Sequence, residues 1–95
     1  MENKNNLVSL ATLKRKLNEK NLSHLITDID YSKQKYKKYR VTLKNGKPVN
    51  FGDKRYEDFI IHKDKERQKK YRNRHRSDKI NDPNFPGFWS YHLLW

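Results

Sequence analysis

Apolar residues near the N-terminus recur with the spacing of one helix face. The stripe consists of Leu10, Leu13 and Leu17. Ser9 precedes it and has the side chain of a good N-cap, so an N-terminal helix is predicted here. A second short stripe follows at Leu22, Leu25 and Ile26. We interpret residues 27–35 as a linker, and residues 1–35 together as an N-terminal helical extension.

The next segment has the period of a β-strand. Its apolar positions, which alternate with polar ones, are Tyr39, Val41 and Leu43. Asn45–Gly46 follows, a pair typical of a two-residue hairpin turn in which both positions take a positive φ. Residues 47–51 are the return strand, and because Pro48 cannot donate a ladder hydrogen bond, this strand is expected at a sheet edge. Residues 56–61 are predicted to form a third strand.

Residues 63–78 have the composition of a helix but almost no apolar side chains. Asp64 is a suitable N-cap, and Glu66 lies one turn before Lys70. Tyr71 is the main hydrophobic residue of this segment. A helix that is polar all round either bridges solvent or is held by something outside it.

The C-terminal segment is the most apolar part of the chain. Its large side chains are Phe88, Trp89, Leu93, Leu94 and Trp95. In one interpretation they pack on the sheet and supply core. In the other they protrude as an anchor for a second copy or another protein, since large aromatics are frequent interface hot spots.

Together these elements predict one small α+β domain. We expect an N-terminal helix, an antiparallel sheet of two or three strands built on the Asn45–Gly46 hairpin, a long basic helix, and a short aromatic helix at the C-terminus. Residues 36–95 are assigned to this basic domain. A chain of 95 residues has a small core, so its aromatic residues are important for stability.

Positive charge is concentrated in the middle of the chain. Residues 31–80 contain 18 Lys or Arg and 6 Asp or Glu, and therefore account for the net charge of +12. The two flanking segments are nearly neutral. A field of this strength in a small domain attracts polyanions, and nucleic acid is the polyanion that we favour.

The candidate nucleic-acid-binding residues lie on the hairpin and on the basic helix. They are Lys37, Lys38, Arg40, Lys44, Lys47, Lys63, Arg67, Lys69, Lys70, Tyr71, Arg72, Arg74, His75 and Arg76. Tyr36, Tyr39 and Tyr71 lie among them and are expected to stack on bases or sugars. Such a set predicts contacts with phosphates more than readout of bases, and we favour duplex DNA over RNA as the partner. The competing interpretation is a solvated basic face that binds nothing specific.

Other chemistry has weaker support. The chain has no cysteine, which excludes disulfides and Cys-ligated zinc. His62, Asp64 and His75 are the candidate ligands of a metal-dependent nuclease. However, Asp64 serves more simply as a helix cap, and Arg74 and Arg76 flank His75. We therefore predict no catalytic residue, no metal and no cofactor. We expect no membrane segment either, since neither a signal peptide nor a run of about 20 apolar residues is visible.

The order of these motifs resembles a family of small basic proteins of unassigned function that giant nucleocytoplasmic large DNA viruses encode. The matching pieces are a hairpin ending in Phe51-Gly52, the His62-x-Asp64 pair, the Tyr71-x-x-Arg74-His75 helix and the terminal block Gly87-Phe88-Trp89-Ser90-x-x-Leu93-Leu94-Trp95. The resemblance covers residues 36–95. It implies a viral protein that is made in the host cytoplasm, at the viral factory, and is packaged in the virion.

We therefore expect non-enzymatic, largely sequence-independent binding of nucleic acid, in the packaging or condensation of viral DNA in the virion core. The alternative is a structural virion protein, whose basic face meets an acidic protein surface or a capsid or core component and whose aromatic C-terminus anchors it. A homo-oligomer is compatible with both hypotheses. A metal-dependent nuclease is the third and least favoured hypothesis.

Overall fold

A three-stranded antiparallel sheet lies at the centre of the fold, which a computed structural model describes for residues 6–77 and 79–95. Its strands are β1 (Ile26–Tyr31), β2 (Tyr39–Leu43) and β3 (Pro48–Phe51), in the order β1-β2-β3. The helices that surround this sheet confirm the predicted α+β class. Residues 1–5 of the predicted N-terminal extension and Asp78 of the predicted basic helix lie outside the described residues.

The predicted hairpin joins β2 to β3. Core residues of the two strands pair directly, as Val41 does with Val49. Gly46 takes a φ of +90°, and its N–H donates to the carbonyl of Leu43 at 2.9 Å. Asn45 does not take a positive φ. The predicted two-residue turn is therefore wrong, and a longer connection that ends in the left-handed Gly46 closes the hairpin.

The third strand is β1, which lies in the segment interpreted as a linker. Ile26 and Ile29 are three residues apart, a spacing that does not fit a regular strand with one buried face. Both are nevertheless buried, because a register shift between Ile26 and Asp28 restores the alternation. The linker interpretation is wrong for this reason. Since β1 pairs with β2, residues 26–31 and the basic domain share one sheet.

Residues 56–61 do not form the predicted strand. They lead into a single helical turn, α2 (Phe59–His62), which follows Asp58 and ends at Lys63 in the left-handed conformation, with a φ of +57°. Ile60 packs against the core from this turn. An apolar run as short as residues 59–61 has no period that distinguishes a strand from a helix, which is why the sequence misleads here.

Helix α1 (Leu10–Glu19) confirms the predicted N-terminal helix. Ser9 caps it with a side-chain hydrogen bond, and Leu13 and Leu17 are buried. The predicted second stripe is a short 3-10 turn, Ser23–Leu25, which leads directly into β1. The apolar residues of that stripe therefore belong to the entry of a strand and not to a second helix.

The C-terminal segment contributes much of the core. Helix α4 (Pro86–Trp89) continues into a π-type turn, Ser90–Leu94, which we call the C-terminal turn. Four side chains of this segment are buried: Phe88, Trp89, Leu93 and Leu94. Trp89 packs on Phe51 of β3 with ring centroids 6.3 Å apart. The interpretation of this segment as core is therefore correct for these four side chains, and they are not free to protrude as an anchor.

Helix α3 (Lys65–His75) is the predicted basic helix. Asp64 caps it as expected, because its Oδ1 accepts the N–H groups of Glu66 and Arg67 at 3.0 and 3.3 Å. None of its 11 residues, all of them described, is buried. Burial of an apolar face therefore does not hold α3 on the domain, and its attachment depends on specific contacts.

Candidate functional site

Helix α3 is attached to the domain at Trp95, directly after the C-terminal turn. The Tyr71 ring stacks on the Trp95 ring with centroids 4.1 Å apart and planes 5° from parallel. Gln68 Nε2 and Arg72 Nε donate to the backbone oxygen of Trp95 at 2.6 and 3.1 Å. The Arg72 guanidinium also lies 4.5 Å from the ring of Tyr91. These contacts position a helix that has no apolar face of its own.

The basic residues of α3 form two stripes. One stripe has the i, i+3, i+7 spacing of a single helix face and lines a cleft beside the helix; it consists of Arg67, Lys70 and Arg74. The other, which we call the exposed stripe, does not line that cleft; it consists of Lys65 and Lys69, with Arg76 directly after the last residue of the helix. One helix therefore provides both candidate phosphate ligands and a matched set of basic residues outside the cleft.

The cleft beside α3 has a volume of about 550 Å³. Five residues of the segment after β3 and several around the C-terminal turn also line it, and we call it the basic cleft. The five are Gly52, Asp53, Tyr56, Glu57 and Asp58. Lys37, from the loop before β2, adds a further positive charge to its lining, and Tyr56 and Trp95 add aromatic surface. A volume of this size falls in the range of small-molecule sites.

Three carboxylates also line the basic cleft, and each is paired with a basic side chain. Asp53 lies 2.8 Å from Arg55, Glu57 lies 3.8 Å from Arg67, and Asp58 lies 2.7 Å from Lys38. By contrast, Lys37, Lys70 and Arg74 form no ion pair with an acidic residue in the described part of the chain. The cleft therefore keeps an excess of positive charge.

Lys38, which the sequence assigned to the nucleic-acid surface, is buried. Its Nζ donates to Asp58 Oδ2 at 2.7 Å, and the two side chains are only 1% and 5% exposed. Burial raises the pKa of the Asp58 carboxyl, although Lys38 lowers it. The prediction that Lys38 contacts nucleic acid is wrong, because its ammonium group is already bound inside the protein.

Two strand residues are also unsuitable for the roles predicted for them. Tyr39 is fully buried, its Oη accepts the N–H of Val8 at 2.9 Å, and burial raises its pKa. Its predicted stacking on bases is therefore wrong. Arg40 lies on the other face of the sheet, 3.5 Å from Asp28 and 3.8 Å from Asp30. These two carboxylates of β1 offset its charge, which weakens the case for a phosphate contact.

Tyr71 has both ring faces covered. Trp95 stacks on one side, and His75 stacks with it at a centroid distance of 4.2 Å. The predicted stacking of a base on Tyr71 is wrong for this reason. Arg72 donates a hydrogen bond to the backbone oxygen of Trp95, and its guanidinium lies against the ring of Tyr91. His75 itself lines the basic cleft.

The remaining predicted residues lie outside the basic cleft. They are Lys44, Lys47, Lys63, Lys69 and Arg76, all exposed. Lys47 Nζ donates to the carbonyl of Asn84 at 3.2 Å and lies 6.0 Å from the ring of Phe85. Of the predicted set, the fold thus brings together Lys37, Arg67, Lys70, Arg74 and His75 around the basic cleft, where Lys38 and Tyr71 are already engaged within the protein, and leaves the hairpin lysines elsewhere.

Sequence reasoning named Tyr36 as a stacking residue but missed Arg55 and Tyr56, with which Tyr36 forms an aromatic and basic group beside the cleft. Tyr36 and Tyr56 are 46% and 64% exposed, and the Arg55 guanidinium lies 4.5 and 5.8 Å from their rings. Arg55 also holds the pKa of Asp53 at about 2. The group was not recognised from the sequence because residues 56–61 were predicted to form a strand. The Gly52–Asp53 turn just before it was the available signal against a strand.

The candidate metal ligands have other roles in the structure. His62 Nδ1 accepts the N–H of Asp64 at 2.9 Å, Asp64 Oδ1 caps α3, and His75 stacks on Tyr71. Burial, and then nearby Arg67, lower the pKa of His62. Within residues 6–77 and 79–95, no group of three or more His, Asp or Glu is arranged to hold a metal ion. In the same residues, no helix has the length and apolar character needed to span a membrane.

Comparison with known proteins gives a match to one family model. The model is that of a family of unknown function, DUF5754, and it matches residues 27–75. No curated protein and no solved structure matches the chain. The matched segment runs from β1 to the end of α3 and includes Lys37, Lys70 and Arg74.

Proposed function

Because the chain belongs to DUF5754, a family of unknown function, we propose a function from its own surface: it binds nucleic acid, without catalysis, through the basic cleft. The observation that carries this proposal is the positive excess of the cleft. Lys37, Lys70 and Arg74 line one concavity and form no ion pair with a described carboxylate. Cations held in this way release counterions from nucleic acid when they bind its phosphates.

The pairing of the neighbouring carboxylates supports phosphate binding. An unpaired carboxylate at the rim would repel a phosphate. Asp53 and Glu57 are instead each held by an arginine, Arg55 and Arg67. The acidic residues of the lining therefore organise the site and do not oppose an anion, while Lys70 and Arg74 on α3 remain directed to the cleft.

The contacts that this site offers favour binding without sequence preference. Lysine and arginine contact the phosphate backbone, and the exposed rings of Tyr36 and Tyr56 at the rim offer stacking surfaces that every base can use. Packaging or condensation of viral DNA in a virion stays a prediction of the family resemblance. Binding to nucleic acid is the step that such a role requires.

Salt dependence of binding tests the proposal. Anisotropy of a labelled duplex and a labelled single strand, each of random sequence, is measured against protein concentration between about 50 and 200 mM salt. Three phosphate contacts predict that the logarithm of the binding constant falls with the logarithm of salt concentration with a slope of about −2 to −3. Binding to neither probe at low salt would refute the proposal. Equal binding to polyglutamate would indicate an acidic protein partner instead.

The two stripes of α3 provide a matched pair of variants. The double variant Lys70→Ala with Arg74→Ala removes two charges from the cleft, and Lys65→Ala with Lys69→Ala removes two from the exposed stripe. We expect the cleft variant to reduce the salt slope by about 1.5 and the other to change it little. Equal losses in both variants would show that binding follows net charge and not the cleft.

A further inference from the structure

We infer that the protein selects single-stranded nucleic acid over a duplex, with an unpaired base stacked on Tyr56 and neighbouring phosphates of the strand on Lys70 and Arg74. The inference rests on the proposed nucleic-acid binding and specifies its partner further. It departs from the expectation of duplex DNA, which was based on charge alone.

Tyr56 offers the open aromatic surface of the basic cleft. Two other aromatic side chains of the lining, Tyr71 and Trp95, stack on each other with centroids 4.1 Å apart. Tyr56 is instead 64% exposed and has no ring–ring contact within residues 6–77 and 79–95. Large aromatics are enriched where proteins bind partners, so an uncovered ring in the lining of a positively charged concavity indicates a stacking site.

The backbone around Tyr56 is ordered without a ligand. Its N–H donates to the carbonyl of Asp53 at 3.1 Å, and Asp53 Oδ1 accepts the N–H of Arg55 at 3.0 Å. The N–H of Lys54 donates to the carbonyl of Tyr36 at 2.8 Å, which links this turn to the loop before β2. The Arg55 guanidinium, which both oxygens of Asp53 hold, lies 5.8 Å from the centre of the Tyr56 ring. A turn that is ordered beforehand loses little conformational freedom when a base stacks on it.

The cations that bind phosphate lie in the same concavity as this ring. Lys37, Lys70 and Arg74 line the cleft together with Tyr56 and form no ion pair with a described carboxylate. Because the volume is only about 550 Å³, one short stretch of strand can contact both the ring and the cations. Aromatic stacking together with cations is the usual combination for single strands.

A duplex cannot use the Tyr56 ring in this way. Its bases are stacked on one another and paired, so a base reaches a side chain only after it leaves the helix, at a cost in free energy. A site that contacts phosphates alone would bind the duplex at least as tightly as a single strand, because duplex DNA releases more counterions for each phosphate that is neutralised. Tighter binding of the single strand therefore requires contacts with bases.

The test compares probes that share phosphates and differ in their bases. Labelled oligo-dT, an abasic strand and a duplex, all of one length, are titrated with the wild-type protein at the same salt concentration. We expect oligo-dT to bind about tenfold more tightly than the abasic strand, as one stacked base predicts. We also expect oligo-dT to bind more tightly than the duplex.

Substitution of Tyr56 assigns this preference to the ring. Tyr56→Leu keeps an apolar side chain without an aromatic face, and should retain binding of the abasic strand while losing most of the preference for oligo-dT. Tyr56→Phe keeps the face and should bind all three probes as the wild type does. Circular dichroism establishes whether each variant folds, and the wild-type comparison of the three probes tests the inference if one does not.

Phe85→Leu is the matched control. Phe85 is also an exposed aromatic residue beside cations, since Lys47 and Lys79 lie 6.0 and 5.2 Å from its ring, but it does not line the cleft. This change should leave the preference for oligo-dT as it is in the wild type.

The outcomes separate the inference from the proposed function. Equal binding of oligo-dT and the abasic strand, or tighter binding of the duplex than of oligo-dT, would overturn the inference and leave the proposed function intact. A preference for oligo-dT that survives Tyr56→Leu, or that Phe85→Leu abolishes, would show that the base is bound elsewhere, which also overturns the inference. Failure of every strand and duplex to bind would refute the proposed function itself.

Discussion

The Nζ of Lys38 lies 2.7 Å from Oδ2 of Asp58, and this ion pair is almost completely enclosed by the protein. The pair joins the loop before β2 to the residue before α2. Transferring two charges from water to the protein interior costs free energy, and their attraction offsets that cost only when the geometry of the ion pair is good. The contact thus uses one lysine of the basic stretch to fix the segment that lines the cleft.

Removing one partner of this pair is expected to destabilise the fold strongly. Lys38→Met leaves the Asp58 carboxylate buried without its cation, and should lower the free energy of unfolding by about 3–5 kcal/mol. Lys38→Met combined with Asp58→Leu removes both charges and should be within about 1 kcal/mol of the wild type, since Asp58 makes no side-chain cap hydrogen bond to α2. Urea unfolding measures both values. A single variant as stable as the double one would contradict this account.

Local sequence signals predicted the elements that depend on neighbouring residues. Ser9 and Asp64 were identified as caps from their positions before helical runs, and Gly46 as the residue of the hairpin turn. The predictions that failed concern elements that depend on contacts between residues far apart in the chain. The bulge that buries both Ile26 and Ile29 depends on pairing with β2, and no period along the chain shows it.

The candidate site likewise has some features that the sequence shows and others that depend on contacts between distant residues. The i, i+3, i+7 stripe of Arg67, Lys70 and Arg74 is visible in the sequence. The sequence does not show which of the two basic stripes faces a concavity, because the stacking of Tyr71 on Trp95 sets the rotation of α3. Burial of Lys38 was equally hidden, since its partner Asp58 comes 20 residues later and from another element.

The two left-handed glycines are expected to respond differently to a side chain. Gly46 has a φ of +90° with nothing within 4 Å of an added Cβ, so Gly46→Ala should cost only the backbone term of about 1–2 kcal/mol. At Gly52, with a φ of +81°, the Cβ would meet Lys38 Cβ at 3.0 Å and Leu94 Cδ1 at 3.1 Å. Gly52→Ala should therefore cost about 1–3 kcal/mol more.

Thermal and urea unfolding of the two glycine variants measure this difference, and Gly46→Ala serves as the control for the backbone term. Crowding at Gly52 also predicts that Gly52→Ala weakens nucleic-acid binding, because Gly52 and Leu94 both line the cleft. Equal destabilisation by the two variants would mean that the surroundings of Gly52 relax around the methyl group.

Helix α3 is expected to loosen when its stack on Trp95 is removed. Tyr71→Ala deletes a ring that contacts Trp95 and His75, and should cost about 2–3 kcal/mol. Because few other contacts hold α3, hydrogen exchange of its amides should accelerate more than that of β2. Arg76→Ala, an exposed change after the last turn of the same helix, is the control and should leave exchange unchanged. Uniform acceleration across the sheet would show that α3 is part of the global folding unit.

The pair of Asp53 and Arg55 is expected to make stability depend on pH in the acid range. Arg55 donates to both carboxylate oxygens, at 3.0 and 2.8 Å, and the pKa of Asp53 falls to about 2. A carboxyl group with a lowered pKa stabilises the fold above its unfolded pKa of about 4, and this contribution is lost as pH falls toward 2. The pair is largely exposed, so screening by solvent keeps this contribution small.

Asp53→Asn should therefore flatten the fall in stability between about pH 4 and pH 2, as urea unfolding at each pH would measure. The pKa of Asp82, which Asn84 lowers, and that of Asp58, which burial raises, shift alike in both proteins and cancel in the comparison. Arg55→Gln should flatten the curve less than Asp53→Asn, because the backbone N–H of residue 55 still donates to Asp53 Oδ1 at 3.0 Å. The two changes together should add nothing to Asp53→Asn alone, because the carboxylate is then absent. An Asp53→Asn curve parallel to that of the wild type would mean that this carboxylate is not held by Arg55 in solution, and Arg55 would then be a fourth cation available to phosphate at the rim of the cleft.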